Sequence, residues 1–360
     1  MKGKKLWRIP LCLLLALLVA VGAYVIYALA AYHRIPDEQS LSVSGESVAG
    51  LTPGTELTLV SWNIGFGAYE ADFSFFMDGG TQSWAWSEER LRANLDNIAQ
   101  VLDQQNGDLL LLQEVDIDGT RSYHVNELEA LTAAMGTARR CCSVFAVNYD
   151  SPFLILPFHQ PHGANRAGMA TFSAFPIAEA RRRSLPVEEG LTRFLDLDRC
   201  YSVSRIPVES GHELVLYNLH LSAYTSDGTI AMEQLRLLLE DMQAEYNKGN
   251  WCIAGGDFNK DLLGDSAALF GVAGQGQTWA QPIPEETWSG YDIAPVAPLD
   301  EADPVPSCRN ADAPYHEGQY VLTVDGFLVS ANVGVVDSRV VDTQFQYSDH
   351  NPVLLRFMLR

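Results

Sequence analysis

Short apolar runs flanked by polar side chains are the feature that most constrains the fold of this chain. Runs rich in Leu, Val, Ile and aromatic residues, each bounded by turn-forming residues, occupy positions 57–64, 109–115, 169–175, 214–221, 251–254, 320–330 and 352–359. Runs of this length and composition predict β-strands that are buried on both faces. Polar residues recur near the ends of these runs: Asn63, Glu114, Asn218, His220, Asp257, Asn259, Asp325, Asp349 and His350. Because neighbouring strands bring their ends together, the sequence predicts one pocket lined by these side chains.

Two segments between the apolar runs have a helical period. Residues 87–106 place Leu91, Leu95 and Ile98 on one face, with Ser87 in position to cap the first turn. Residues 230–248 repeat this pattern. Helices that alternate with nearly continuous apolar strands predict an α/β body in which helices cover the sheets.

The N-terminus carries a membrane signal. Residues 9–32 contain no charged side chain and are dominated by Leu, Ala and Val, which matches the roughly 20 residues that a helix needs to cross a bilayer. Several basic residues precede this run: Lys2, Lys4, Lys5 and Arg8. Since positive charge favours the cytoplasmic side, residues 1–8 are predicted to be cytoplasmic, and the body after a single-pass helix is predicted to be extracytoplasmic.

A cleaved signal peptide is the alternative for this N-terminal segment, because Ala28-Leu29-Ala30 resembles a small-x-small cleavage site. The apolar run is longer than the roughly 7–15 residues of a signal-peptide core, which favours the uncleaved anchor. Residues 33–56 are rich in Ser, Gly and Glu without periodicity, which predicts a linker before a body at 57–360.

The body is strongly acidic. The formal net charge of the chain is −21, and all 45 acidic residues follow Arg34. Such a body repels polyanions at long range unless metal ions or local Arg clusters compensate. Five of the six cysteines follow the apolar run without zinc-ligand spacing. They are either buried free thiols or, in an oxidising compartment, include one without an intramolecular partner.

The polar residues form a recognisable set of motifs. In order, the chain contains Ser61-Trp62-Asn63-Ile64, Leu112-Gln113-Glu114-Val115, Asn218-Leu219-His220-Leu221, Gly256-Asp257-Phe258-Asn259, Val324-Asp325-Gly326-Phe327 and Ser348-Asp349-His350-Asn351-Pro352. Their content and order resemble the endonuclease/exonuclease/phosphatase superfamily. The resemblance implies a four-layer α/β/β/α sandwich of the DNase I-like type and hydrolysis of phosphoesters. Each residue alone is more often a turn former or a structural histidine, so the order of the motifs carries the inference.

The resemblance also implies roles for individual residues. Metal ligands are expected at Asn63, Glu114 and Asp349, with Asp257 and Asn259 near a second metal position or the attacking water. Catalytic residues are expected at His220, Asp257, Asn259, Asp325 and His350, with His350 beside the scissile phosphate and oriented by Asp325. Hard oxygen ligands dominate, which suits Mg²⁺ or Mn²⁺ better than zinc. Asn218 and Arg166 are expected to bind substrate, although a surface arginine is the simpler interpretation of Arg166.

The substrate is less constrained than the reaction. Abasic-site nucleases of the superfamily usually have Asp at the position of His220, so the Asn-x-His-Leu motif resembles its other branches. The acidic body and the predicted anchor favour a lipid or small-molecule phosphoester; the alternatives are a DNase I-like extracellular nuclease and a non-catalytic surface module. Aromatic residues in loops 73–86 and 263–317 fill a satellite core or form a rim for substrate. The predicted partners are a membrane, through the N-terminal helix, and the substrate, with no obligatory protein partner.

Overall fold

The computed structural model describes residues 8–136, 141–188, 198–223, 229–272 and 280–360. The strands in chain order are β1 (Gln39–Ser40), β2 (Val43–Gly45), β3 (Glu56–Asn63), β4 (Leu109–Gly119), β5 (Cys142–Asp150), β6 (Asn165–Ser173), β7 (Glu179–Ser184), β8 (Cys200–Pro207), β9 (Glu213–His220), β10 (Trp251–Asp257), β11 (Ile293–Val296), β12 (Cys308–Arg309), β13 (Val321–Leu322), β14 (Asp325–Ser330), β15 (Val333–Val340) and β16 (Val353–Leu359). The α-helices among these residues are α1 (Arg8–Ala31), α2 (Glu88–Gln104), α3 (Glu127–Ala134), α4 (Thr229–Tyr246) and α5 (Ser266–Leu269).

Two seven-stranded sheets form the body. Their strand orders are β1-β7-β8-β9-β10-β14-β11 and β15-β16-β3-β4-β6-β5-β2. Each sheet contains a parallel pair near its centre, β9 with β10 and β3 with β4. Asp257 therefore ends β10 directly opposite His220 of β9, while Asn63 ends β3 beside the Gln113 position of β4. The parallel pairs bring four motifs to one edge of the two sheets.

Antiparallel neighbours bring the remaining motifs to the same edge. β14 runs antiparallel to β10, so its first residue, Asp325, pairs with Asp257. β16 runs antiparallel to β3 and begins opposite Ser61, which places the preceding His350 near the end of β3. Residues at the beginnings of β14 and β16 thus meet residues at the ends of β3, β9 and β10 and in the middle of β4.

Alternating side chains divide the body into four layers, as the sequence predicts. Leu59 and Leu111 point inward and pack with Leu216 of β9 between the sheets. Val60 and Leu112 point outward and pack beneath α2. The outer face of the other sheet packs against α4 in the same way. Strands buried on both faces require continuous apolar runs, which explains why these strands do not alternate between apolar and polar residues.

Residues 39–45 belong to the folded body, although the sequence predicts them as part of a linker at 33–56. β1 extends one sheet by pairing with β7, and β2 extends the other by pairing with β5. The carbonyl of Pro36 also accepts a hydrogen bond from the buried Arg182 guanidinium at 3.3 Å. Strands of two or three residues have no periodicity that distinguishes them from a loop.

The predicted strand at 320–330 and the predicted insertion at 263–317 differ in detail from the structure. The strand is divided into β13 and β14 because the first pairs with β12 and the second with β10. Where it is described, the insertion supplies α5, the edge strand β11 and β12. Trp279 lies outside the described residues.

Helix α1 is long and apolar enough to cross a membrane. It has no buried residue in its 24 positions, so it is not a core helix of the body. An N-terminal signal sequence meets the same criteria of length and composition. The basic residues Lys2, Lys4 and Lys5 lie outside the described part of the chain.

Candidate active site

The predicted catalytic and metal-binding residues converge at the edge where the strand ends meet. A cleft of about 530 Å³ is lined by Glu114, His220, Asp257, Asn259, Asp349 and His350. Asn63 and Asp325 lie directly behind these residues and contact them through hydrogen bonds. The six motifs therefore form one site.

Glu114 is aimed into the cleft by an irregularity in β4. The pairing of β4 with β6 shifts register between Leu112 and Val115, and Glu114 has a left-handed backbone φ of 54°. A β-bulge of this kind redirects a side chain that would otherwise point along the regular pleat. A non-glycine residue in this conformation is strained, and such strain concentrates at functional sites.

Asn63 connects the two sheets beneath the cleft. Its Nδ2 atom donates to Oε1 of Glu114 and to Oδ2 of Asp257, both at 3.1 Å. Its Oδ1 atom accepts a hydrogen bond from the backbone N–H of Gly65. In this orientation Asn63 holds the two carboxylates together as a donor, and direct metal ligation would require the amide to present its oxygen instead.

Asp325 and His350 form a buried pair. Nδ1 of His350 is hydrogen-bonded to Oδ2 of Asp325 at 2.7 Å, and the same oxygen accepts from the Ser307 hydroxyl at 2.7 Å. Burial lowers the pKa of His350, but the negative charge of Asp325 outweighs it and raises that pKa well above the usual value. The pair agrees with the predicted orientation of His350 by Asp325 and favours an imidazolium whose Nε2 faces the cleft side.

His220 has the opposite electrostatic character. Burial, followed by the positive charges of Arg199 and His350, holds the pKa of His220 well below its usual value. Its Nε2 atom lies 3.5 Å from Oδ2 of Asp257, a carboxylate neighbour that the sequence motif does not reveal. The two histidines are therefore suited to different tasks, with a neutral imidazole at 220 and a cationic one at 350.

The acidic residues of the cleft lack enough positive charge to balance them. Burial raises the pKa of Asp349 to about 6, and Glu114 adds to this effect, whereas His350 and Arg309 oppose it. Burial and the neighbouring Asp325 likewise raise the pKa of Asp257, against the effect of His350. Carboxylates held at raised pKa by burial and mutual repulsion are stabilised as anions by a divalent cation.

The donor atoms fit a hard cation. Glu114, Asp257 and Asp349 offer carboxylate oxygens, the ligands that Mg²⁺ and Mn²⁺ prefer. Asp257, Asp325 and His350 also bring ligand atoms within 4.8 Å of one another. Asp325 is already engaged by Ser307 and His350, so Glu114, Asp349 and Asp257 are the better candidates for the ligands.

Asn259 is held by its neighbours at the cleft wall. Its backbone has a left-handed φ of 50°, its N–H donates to Oδ1 of Asp257 at 2.8 Å, and its Nδ2 donates to the Leu221 carbonyl at 2.8 Å. These contacts fix the position of Asn259 beside Asp257.

Neither Asn218 nor Arg166, which the sequence predicts to bind substrate, lines the cleft. Asn218 is fully buried between the sheets, where its amide donates to the Ala170 carbonyl and accepts from Gln113. Arg166 is on the surface beside Asp150, at 3.6 Å, and lines a separate groove. Asn218 joins the two sheets, and the simpler interpretation of Arg166 as a surface arginine agrees with its position.

Several residues of the site were not predicted from the sequence. Cys308 and Arg309 of β12 and Asp78, Tyr69 and Arg199 line the cleft with the predicted residues. Sγ of Cys308 lies 3.5 Å from Nε2 of His350, and burial raises the pKa of its thiol to about 12. The guanidinium of buried Arg309 donates to five backbone carbonyls: Tyr69, Glu70, Phe73, Asn310 and Ala313. These residues lie in irregular segments, where no periodic signal marks them.

A second cleft of about 650 Å³ adjoins the first through Tyr69, Glu114, Arg199 and His220. Its remaining lining residues are Phe75, Met77, Arg121, Asn148, Tyr149, His162 and Ala167. Arg121 makes a bidentate ion pair with buried Asp116. The two clefts share these four residues and together form a channel that runs from His350 to His162.

Most of the loop aromatics pack into the main hydrophobic clusters beneath the helices rather than into a separate satellite core. Phe73 and Phe75 are buried against Phe66 and Tyr69. Trp288 and Tyr291 pack against the cluster under α4. Of the residues considered for a substrate rim in loop 73–86, Phe75 lines the adjoining cleft.

Residues 60–350 match the Endonuclease/Exonuclease/phosphatase family. Since this match covers most of the chain, the chain belongs to that family, whose members are hydrolases acting on phosphoester bonds. A comparison with curated protein sequences finds no match.

Solved structures share the fold. An endonuclease/exonuclease/phosphatase from Beutenbergia cavernae DSM 12333 has a TM-score of 0.57 at 17% identity, over 84% of this chain and 72% of that chain. A family protein from Leptotrichia buccalis C-1013-b has a TM-score of 0.53 at 16% identity, over 83% and 98%. The human Nocturnin catalytic domain, with a bound sulfate anion, has a TM-score of 0.51 at 18% identity, over 89% and 98%. These identities establish the fold and leave the substrate to be argued from the site.

Proposed function

We propose that this chain is a Mg²⁺- or Mn²⁺-dependent phosphoester hydrolase, anchored by α1, that acts outside the membrane on a lipid or small-molecule phosphoester. The observation that carries the proposal is the convergence of Glu114, Asp257 and Asp349 with the Asp325–His350 pair in one cleft. The carboxylates of buried Asp257 and of half-buried Glu114 and Asp349 are suited to a divalent ion, and the imidazolium beside them is suited to a phosphate.

The side chains divide the work of an in-line displacement by water. A bound divalent ion would neutralise charge on the phosphoryl oxygens and on the leaving oxygen. Asp257, held by Asn63 and by the Asn259 N–H, lies where it can orient the attacking water. As the bond from the water oxygen to phosphorus forms, Asp257 accepts the proton that the water loses. As the ester P–O bond breaks, the leaving oxygen departs with the bonding electron pair, and the cationic ring of His350 stabilises its negative charge.

His220 contributes a neutral hydrogen-bond donor. Burial and nearby positive charge lower the pKa of His220, so its ring is neutral. A neutral ring donates a hydrogen bond to a phosphoryl oxygen and does not transfer its proton. Carboxylates, an imidazolium and a neutral imidazole supply the three elements that phosphoester hydrolysis needs, namely charge neutralisation, orientation of water and stabilisation of the leaving group.

The substrate class follows from charge and attachment. A net charge of −21 disfavours long-range attraction of a polyanion such as DNA. An N-terminal apolar helix keeps the body near a membrane surface, where lipid phosphoesters are concentrated. A DNase I-like nuclease remains the second candidate, because the same catalytic groups cleave any phosphodiester.

The test uses the full chain in proteoliposomes with Mg²⁺ or Mn²⁺. Sphingomyelin, phosphoinositides, a soluble chromogenic phosphodiester, RNA and plasmid DNA are supplied in parallel, with the Glu114→Gln variant as the matched control. Metal-dependent release of phosphate or headgroup from lipid, absent in the variant, supports the proposal. Cleavage of DNA alone establishes the nuclease instead, and inactivity on all five substrates with either metal favours the non-catalytic surface module.

A further inference from the structure

A short loop between β5 and β6 carries an unusual amount of exposed apolar surface. Phe153 is 41% exposed, Leu156 is 56% exposed and Phe158 is 77% exposed, with Ile155 also exposed. Outside α1, nine large apolar side chains are exposed in the described residues, and four of them fall within this run of six positions. Clustered exposure of this kind marks an interaction surface, whereas single exposed apolar residues do not.

The loop is in contact with α1. The Tyr24 hydroxyl donates to the Phe153 carbonyl at 3.2 Å and accepts from the Ile155 N–H at 3.1 Å. The Tyr27 hydroxyl accepts from the Phe153 N–H at 3.1 Å. The exposed loop therefore lies beside the one segment of the described chain that is long and apolar enough to span a bilayer.

The position of the contact along α1 sets the depth of the loop. At 1.5 Å per residue, Tyr24 and Tyr27 lie roughly 23 and 27 Å from Ile9 along the helix axis, close to the far side of a hydrocarbon core about 30 Å thick. Tyrosine is favoured at that boundary, where its ring is in the apolar region and its hydroxyl meets polar groups. Residues 153–158 are thereby held at the interface between acyl chains and headgroups.

The loop is also connected to the cleft. Downstream of Phe158, the Trp84 indole donates to the Pro161 carbonyl at 2.6 Å, and the Ser83 N–H donates to the Gln160 side chain at 2.8 Å. His162, which directly follows Pro161, is buried and lines the cleft that adjoins the catalytic groups. A membrane-facing loop at 153–158 thus brings one wall of the substrate channel close to the bilayer.

We propose that residues 153–158 insert into the outer leaflet beside α1 and orient the channel toward phosphoesters carried by lipids. The occupant of this surface is a phospholipid bilayer, because the loop continues the apolar surface of α1 at the depth of the headgroup boundary. The inference rests on the proposed membrane attachment. It implies that this loop makes the enzyme prefer substrates in a membrane to soluble substrates.

Insertion is tested without reference to catalysis. In a variant with Cys12→Ser and Cys141→Ser, a single cysteine is introduced at Phe158 or, as the matched control, at the exposed Val336 of β15. Each is labelled with an environment-sensitive fluorophore in full-length protein reconstituted into phosphatidylcholine vesicles. We expect quenching of the label at 158 by doxyl lipids with protection from aqueous iodide, and the reverse at 336. Equal iodide quenching at both positions overturns the proposal, whatever the enzyme hydrolyses.

The functional consequence is tested by making the loop polar. Leu156→Ser with Phe158→Ser is compared with Val336→Ser in the full chain. We expect the loop variant to lose at least about tenfold in turnover of phospholipid presented in vesicles, while hydrolysis of a soluble chromogenic phosphodiester is unchanged. Retention of vesicle hydrolysis contradicts the role of the loop. If neither the wild type nor the variants hydrolyse the soluble phosphodiester, the proposed enzyme function is contradicted. The result of the insertion experiment is independent of this outcome.

Discussion

Nδ1 of His350 lies 2.7 Å from Oδ2 of Asp325, and both side chains are almost completely buried. Asp325→Asn preserves the shape of this contact but removes the negative charge that holds the pKa of His350 above its usual value. In the proposed function the cationic ring of His350 is the active form. The variant loses this form at lower pH, so the alkaline limb of the turnover profile moves to lower pH. We expect kcat to fall by roughly 100-fold with KM little changed.

The measurement is the pH dependence of kcat at saturating metal for wild type and Asp325→Asn. A profile that neither shifts nor falls would refute the paired arrangement. Ser307→Ala is a useful companion, because Ser307 donates to the same oxygen of Asp325 without touching His350, and it should shift the profile less.

Glu114→Gln should separate metal binding from folding. The substitution keeps the size of the side chain and removes one ligand charge, so we expect a folded protein whose turnover is lower by roughly three orders of magnitude or more. Mn²⁺ titrations followed by calorimetry should show weaker binding, and the metal-induced rise in Tm should decrease with it. Normal turnover at saturating Mg²⁺ would exclude Glu114 as the principal ligand.

Removal of metal should make the stability of the protein depend on the protonation of Asp349. The pKa of Asp349 is raised from 3.8 to about 6, chiefly by burial, so the folded state binds this proton more tightly than the unfolded state. Its contribution to stability is fully present below pH 3.8 and is lost as the pH rises through about 6. The loss is on the order of 3 kcal/mol.

In EDTA, the Tm of wild type should therefore fall more steeply between pH 4 and 7 than the Tm of Asp349→Asn. Mg²⁺ should raise the wild-type Tm more at pH 8 than at pH 5, because the ion binds the deprotonated carboxylates. Parallel Tm curves for the two proteins in EDTA would show that the raised pKa of Asp349 does not account for the pH dependence of stability.

The edge strands β1 and β2 make the segment before Leu51 part of the stability of the body. A fragment that begins at residue 34 keeps both strands, whereas one that begins at residue 47 exposes the edges of β7 and β5. The fragment that begins at residue 47 also lacks the partly buried Leu41 and Val43, which pack against the core between the sheets. We expect a Tm lower by at least about 5 °C and a greater tendency to associate through the open edges. Equal melting and monomer content in size-exclusion chromatography would contradict this role.

The residues of the candidate site were predictable because polar side chains beside buried apolar strands contrast with their surroundings. Asn63, Glu114, His220, Asp257 and His350 were each recognisable in this way, and the pairing of strands explains why they meet. Asn218 has the same sequence signal, yet it is buried as a bridge between sheets. A sequence motif does not distinguish a side chain that faces a cleft from one that faces the opposite sheet.

Other parts of the site depend on irregular backbone and were missed for that reason. Cys308 and Arg309 lie in a segment rich in Pro and Gly. Their contact with the site comes from an isolated backbone bridge between Cys308 and His350 and from a hydrogen bond of the Arg309 N–H to the Asp349 carbonyl. No residue type in β4 indicates the bulge that turns Glu114 into the cleft. The neighbour of His220, Asp257, became evident once the parallel register of β9 and β10 was known.

The two histidines should respond differently to substitution, because their environments give them opposite charge. His220 has a lowered pKa from burial and from the positive charges of Arg199 and His350, so it acts as a neutral donor. His220→Asn retains a donor of similar reach, whereas His220→Ala removes it and should cost roughly 100- to 1,000-fold in kcat. We expect the kcat of His220→Asn to be at least about tenfold higher than the kcat of His220→Ala. At position 350, Asn and Ala should be equally poor, since neither carries a positive charge. Steady-state kinetics of the four variants at saturating Mn²⁺ provide the comparison, and equal loss for His220→Asn and His220→Ala would assign proton transfer to His220.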